Sequence, residues 1–257
     1  MIHAIDHLVI LVRDLDAAIA DYTALGFTVT PGGEHADGAT HNALVPFADG
    51  SYFELIAFRR DAPEHRWWRH AAIGEGLVDF ALLPDAIGDD IAQARARGLV
   101  YDGPHPGGRV RPDGQQIAWQ IGAPPTPDLP FLCADVTPRE LRVPGGEARE
   151  HANGATGIAE LTVTVRDARA SAERYHALLG SAPVVLDDHT VTFGLGATRI
   201  TLAAPTPDAP ADSALRVRLE ARGEGPLACA LRAGSGTAGA LLDTRLAHGV
   251  DIDLVAG

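Results

Sequence analysis

"IDHLVILVRDLDAAIADYTALGF", Ile5 to Phe27, reads as a strand, an Asp-capped helix and a glycine stop. Alternation places His7 on one strand face with Ile5, Val9 and Leu11, an imidazole among core residues. Asp14 stands where a helix N-cap belongs and Gly26 where the chain must turn left-handed after the last helical turn. The same grammar recurs twice. Asp85 separates "LVDFALLP" from "AIGDDIAQARAR", stopped by Gly98. Asp167 separates "IAELTVTVR" from "ARASAERYHALL", stopped by Gly180.

The segments after each helix repeat as well. "FTVT", "THNALVPF", a turn at Asp49-Gly50 and "YFELIAF" follow the first helix. "LVY", "GGRVR", a turn at Asp113-Gly114 and "QQIAWQIG" follow the second; "PVVL", "HTVTFGL" and "TRITLAA" follow the third. The unit is strand, helix, three strands. The tail "LRVRLEARG … LACALRAG … VDIDLVA" reads as a fourth unit that has lost its helix. "APPTPDLP" is a loop, "PFLCADV" a further strand, and the polar "TPRELRVPGGEAREHANGAT" a linker. This divides the chain into residues 1–135, a linker at 136–154, and residues 155–257. In "DAPEHRWWRHAAIGEG", which joins the first two units, Trp67 and Trp68 are read as packing residues.

Composition narrows the chemistry. All 21 basic residues are arginine, so lysine Schiff-base enzymes and Walker P-loops are excluded. No nucleotide cofactor is expected. The formal net charge of −13 argues against nucleic-acid and anionic-membrane partners. No apolar run approaches the ~20 residues of a membrane span, and no signal peptide is visible, so a cytoplasmic location is expected. Cys133 and Cys229 read as buried thiols.

Tandem strand-helix-three-strand units resemble the vicinal oxygen chelate superfamily, whose members include glyoxalase I, extradiol dioxygenases and bleomycin-resistance proteins. "IDHLVILVRDLDAAIADYTALGF", "PGGEHADGATHNALVPF" and "SYFELIAF" look like its glyoxalase-like branch. The resemblance implies an α+β fold of βαβββ units whose sheets curl into an open, cupped barrel, with residues 155–257 a degenerate copy. It also implies a divalent metal (Zn, Mn, Ni or Fe) held by first and last strands. His7 then occupies the first-strand ligand position and Glu54 the last-strand position, where Glu54 also stands as candidate catalytic group. A buried imidazole and carboxylate each need a partner, and one ion satisfies both.

The second unit leaves its ligand open. Aligning helix starts sets Val78 against His7; aligning helix stops sets Asp79 there, and a one-residue shift reverses the face. Counting from the Asp-Gly turns sets Ala118 against Glu54, with Gln116 and Gln120 on its face. Arg109 and Arg111 fall opposite Ala118 and Gln116, where guanidinium groups suit a carboxylate, phosphate or enolate. His41 and Asn42 are expected to touch substrate, and "GGEH" to form a lip over the cup. The Asp49-Gly50 register pairs Val45 with Glu54 and leaves His41 too far along the strand to share an ion with it.

Two functions remain in competition. One is a metal-dependent glyoxalase-like enzyme (isomerase, lyase or oxygenase) that chelates a small oxygen-rich metabolite and stabilises an enolate. The other is a metal-free small-molecule binding protein of the bleomycin-resistance kind. A homodimer is compatible with either, and a scaffold dimer without ligand is the third reading.

Overall fold

The structure, a computed structural model, describes residues 1–234 and 239–256. The first half contains β1 (Ile2–Leu11), α1 (Leu15–Ala24), β2 (Thr30–His35), β3 (Thr40–Pro46), β4 (Tyr52–Phe58), α2 (Trp68–Ala71), β5 (Gly76–Pro84), α3 (Ile87–Ala96), β6 (Asp102–Val110), β7 (Gln116–Ala123) and β8 (Phe131–Asp135). After α4 (Arg139–Arg142) and a 3-10 turn (Gly146–Arg149) come β9 (Ala155–Thr164), α5 (Ala168–Leu179), β10 (Val184–Val185), β11 (Thr190–Leu195), β12 (Thr198–Ala203), α6 (Ala214–Arg222), β13 (Gly225–Ala233), β14 (Ala240–Leu241) and β15 (Asp251–Ala256). The three expected first strands are β1, β5 and β9, each leading into a helix. Asp14 and Asp167 cap α1 and α5 through their carboxylates. Gly26, Gly98 and Gly180 all take left-handed φ. Asp85 is not a cap: Ala86 holds that position, and the Asp85 carboxylate takes the chain's N-terminal amine at 2.9 Å.

β1 to β8 close into a barrel in the order β1-β4-β3-β2-β6-β7-β8-β5. The other strands form an open sheet, β10-β11-β12-β9-β13-β15-β14. The expected opening of the cup lies between β2 and β6, and only two residue pairs bridge it, Glu34 with Val110 and His35 with Arg109. Alternation sorts the barrel's side chains. Val9, Leu11, Ile56, Ala81, Phe131 and Cys133 pack inside. Leu8, Ile10, Phe53, Leu55, Phe80 and Leu82 pack outward with Leu15, Ala18 and Tyr22 of α1 and Ile91 of α3. The Tyr22 hydroxyl donates to Ala247 O (3.2 Å) and the Tyr175 hydroxyl to Asp128 O (2.7 Å), tying the open sheet's half to the barrel. No helix among the described residues is long and apolar enough to cross a membrane.

The structure corrects several expectations. Both Asp-Gly turns are three-residue loops with the glycine left-handed. They close through Phe47 N to Ser51 O and Arg111 N to Gln115 O. Each pairing therefore slips by one residue from the expected register: Leu44, not Val45, pairs with Glu54, and Arg109 pairs with Ile117. "LVY" forms no strand, and "PFLCADV" supplies β8, so the strands of the second unit are β6, β7 and β8. Asp113-Gly114 is then that unit's first hairpin, and Ala118 was compared with Glu54 across non-equivalent strands. "LRVRLEARG" contains helix α6. The stretch read as a linker carries α4, which reaches back into the barrel.

"GGEH" is part of β2 rather than a free lip. A Cβ on Gly32 would overlap the Asn42 side-chain oxygen, and one on Gly33 (φ +131°) would overlap Val110 O at the narrow seam. Gly33→Ala is therefore expected to destabilise the protein by about 2 kcal/mol. A thermal melt checks this, and an unchanged midpoint would contradict the seam's role.

Candidate functional site

A cavity of about 450 Å³ fills the barrel, lined among others by His7, His35, Asn42, Tyr52, Glu54 and Trp119. Its chemistry begins with a kink in β1. The β1–β5 register shifts between Ile5 and His7, so Asp6 sits in a bulge. Ile5 consequently joins the outer core, while His7 turns inward with Val9 and Leu11. The bulge also lets sequence neighbours meet: His7 Nδ1 lies 2.6 Å from Asp6 Oδ2. With Nδ1 bonded to that carboxylate, Nε2 faces the cavity. His7 stacks on Tyr52 (4.7 Å between centroids) and meets Phe131 edge-on.

Glu54 faces His7 at 3.5 Å, Nε2 to Oε2. His35, from β2, approaches the other carboxylate oxygen at 3.5 Å through Nε2, while its Nδ1 is 2.8 Å from Thr40 Oγ1. Asn42 Nδ2 donates to Glu54 Oε1 at 2.6 Å. Burial pushes the Glu54 carboxyl up, but the His35 hydrogen bond, the charges of His7 and His35 and the Asn42 amide outweigh it. They bring the carboxyl down to about 2. A lowered folded pKa stabilises above the ordinary value of 4.5, and that contribution is lost as pH falls from 4.5 towards 2. In a carboxyl-carbon titration Glu54 should thus remain ionised at about pH 3.5, when an ordinary glutamate is mostly protonated. A midpoint near 4.5 would show that the two imidazoles do not act on it.

The floor is an ion-pair network. Arg142 donates to both Asp6 oxygens (2.7 and 3.0 Å), to Asp135 Oδ2 (2.9 Å) and to the Tyr52 hydroxyl (2.8 Å). Arg139 adds a 2.6 Å contact to Asp6. Burial alone would raise the Asp6 carboxyl; Arg142, His7 and Arg139 hold it well below the usual range. Arg109, paired with His35 across the seam, is 4% exposed and donates to Gly32 O and Arg142 O. Burial pulls its guanidinium below the ordinary arginine value.

The expected residues divide as follows. His7, Glu54, Asn42 and Arg109 line one cavity. Asp79 pairs with Val9. Its carboxylate is taken by Trp67 Nε1 (2.7 Å) and Arg66 (2.6 Å), and the residue opposite His7 is Ala81. Phe131 of β8, which pairs with Ala81, stands where the second unit's carboxylate would be. His41 faces outward between Thr40 and Asn42, opposite Ala57. Gln120, between the cavity-lining Trp119 and Ile121, also faces outward, and Arg111 leaves the barrel to donate to Leu141 O (2.8 Å). Sequence reasoning missed Asp6, Tyr52 and Arg142, and it placed His35, attractive by the family resemblance, only in the "GGEH" lip. The spacing of five between His35 and Thr40 across a Gly38 turn was the available signal.

In the open sheet, Glu160 takes the position of His7 and Thr201 that of Glu54. They bond each other at 2.5 Å, and Arg199 neutralises Glu160. The polar cavity described above is built by residues 7–142.

Two imidazole Nε2 atoms and one carboxylate are a donor set suited to Fe(II), Mn(II), Zn(II) or Ni(II). Donor spacings of 3.5 Å are close to the roughly 3.0–3.4 Å between neighbouring ligands whose bonds are ~2.1 Å long. As they stand the side chains bond each other: among the described residues no three or more His, Cys, Asp or Glu are already grouped around one ion position. The second contacts at both Nδ1 atoms fit a metal site, since they orient the imidazoles without occupying Nε2.

A family model described as a glyoxalase-like domain matches residues 5–179. No curated protein matches the chain. A hypothetical protein from Staphylococcus aureus superposes with a TM-score of 0.75 at 12% identity, covering 98% of this chain and 99% of the other. A mutant 4-hydroxymandelate synthase from Streptomyces coelicolor superposes with a TM-score of 0.57 at 14% identity, covering 91% of this chain and 72% of the other. A xylose isomerase-like TIM barrel/4-hydroxyphenylpyruvate dioxygenase fusion protein gives 0.57 at 16% identity, over 92% of this chain and 37% of the other. At these identities the likeness is one of fold.

Proposed function

The chain belongs to the glyoxalase-like domain family, and from that premise we propose that its barrel is an enzyme site. In this reading His7, His35 and Glu54 hold one divalent ion, and a small oxygen-rich metabolite enters the cavity beside them. The observation that carries it is the convergence of two anchored imidazoles on one carboxylate. When bound, the ion supplies Lewis-acid stabilisation to vicinal substrate oxygens.

The protein's own residues do the rest. Asp6 holds the His7 Nδ1 proton, and Thr40 orients His35. Asn42 fixes the Glu54 carboxylate. Tyr52, Trp67, Trp119 and Phe131 line the cavity and exclude water. Glu54, faced by both imidazoles and bonded by Asn42, serves as the carboxylate ligand. With two histidines available, oxygenase chemistry is favoured over isomerase and lyase chemistry, because two histidines and a carboxylate are the set of non-haem iron(II) oxygenases.

Anaerobic titration with Fe(II), and separately with Mn(II), should fill one site per chain. No stoichiometric uptake would favour the binding-protein reading, which the existing hydrogen bonds around Glu54 support.

A further inference from the structure

The inner wall holds a cation without an anion. Arg66 is matched by Asp79, and Arg139 and Arg142 by Asp6 and Asp135. Arg109 makes no ion pair among the described residues: both of its protein acceptors are backbone carbonyls, Gly32 O and Arg142 O. These use two of the five guanidinium N–H groups, leaving the rest for another acceptor. A buried guanidinium whose hydrogen bonds all go to neutral carbonyls, with Glu54 acting on it only at a distance, is expensive, and a carboxylate meeting its fork offsets that cost best. The position is fixed as well. Arg109 pairs with His35 across the β2–β6 seam, so both side chains rise from adjacent backbone on the inner face. Gly107 and Gly108 precede it, and a side chain at Gly107 would overlap the Trp119 indole that forms the neighbouring wall.

We infer that the substrate is a small carboxylate whose anionic end meets Arg109, with its body in the cavity beside Trp119. The inference deepens the proposed enzyme reading and names the substrate class of the same cavity. It does not require the ion, because Arg109 is not among the proposed ligands. The fork of Arg109 suits a carboxylate better than it suits a neutral polar group.

The test compares phenylglyoxylate with phenylglyoxylamide, which share ring and ketone and differ by one charge. Calorimetry on the full chain, with and without Mn(II), should show the acid binding at least ~10-fold more tightly than the amide in both conditions. Arg109→Gln should remove that preference, and Arg109→Lys should restore part of it, since charge returns without the fork. Circular dichroism checks that each variant is folded. Should Arg109→Gln fail to fold, the wild-type acid-to-amide ratio and its fall with rising salt decide the matter. Equal binding of acid and amide, no binding of either, or an undiminished preference in a folded Arg109→Gln would overturn the assignment. Failure of the metal reading looks different: Mn(II) would not bind, yet the acid would still be preferred.

Discussion

Arg142→Met is expected to lower the unfolding free energy by about 3–5 kcal/mol, because it strands a buried carboxylate. Asp6 is fully buried and Arg142 is 3% exposed. One guanidinium satisfies both Asp6 oxygens, Asp135 and the Tyr52 hydroxyl together. Arg139 and His7 still reach Asp6 in the variant, which places the loss nearer the lower figure. Urea unfolding should show a lower midpoint at unchanged slope. The double variant Asp6→Asn, Arg142→Met should lose less than the sum of the two single changes, because neither partner is then left charged and alone. The sign in acid follows from the lowered Asp6 pKa. Its stabilisation is complete above about 3.8 and is lost as pH falls below that value. The gap between wild type and Arg142→Met should therefore narrow in acid. A loss under about 1 kcal/mol at pH 7 would mean that Arg139 alone suffices.

The second large effect separates ligands from neighbours. His7→Ala and His35→Ala should each weaken Mn(II) binding by at least ~100-fold, whereas Asp79→Asn should leave it within about twofold. Asp79 is held by Arg66 and Trp67 rather than by the trio around Glu54. Asp6→Asn should cost an intermediate ~10-fold, since it loosens His7 without deleting a donor. Isothermal titration of each folded variant decides the order. If Asp79→Asn abolished binding while His35→Ala did not, the ion would belong to the β1–β5 seam instead of β2.

The sequence alone carried the repeat. Asp-strand-helix-Gly punctuation depends on local backbone preferences, so β1, β5 and β9 and the helices after them were legible without any partner strand. His7 and Glu54 were legible too, because a polar residue at an inward position of an apolar strand stands out against period-two alternation. The helix caps show the limit of such local reading: Asp85 looks like Asp14 and Asp167, yet Ala86 holds the cap position of α3.

Register and assembly were decided only in three dimensions. A three-residue loop and a two-residue loop share the letters Asp-Gly, and the choice between them set Arg109 opposite Ile117 and Leu44 opposite Glu54. The bulge at Asp6 has no mark in the sequence, since it arises from fitting β1 against β5, yet it aims His7. His35 becomes a candidate ligand only because β2 is pinned between β3 and β6, with Gly32 and Gly33 permitting the close approach. Arg142 lies in what reads as a polar linker, and only the chain's return under the barrel places it on Asp6, 136 residues away. Periodicity is a property of neighbours along the chain, whereas a site made from four strands and a returning helix depends on contacts that the chain acquires only when it closes.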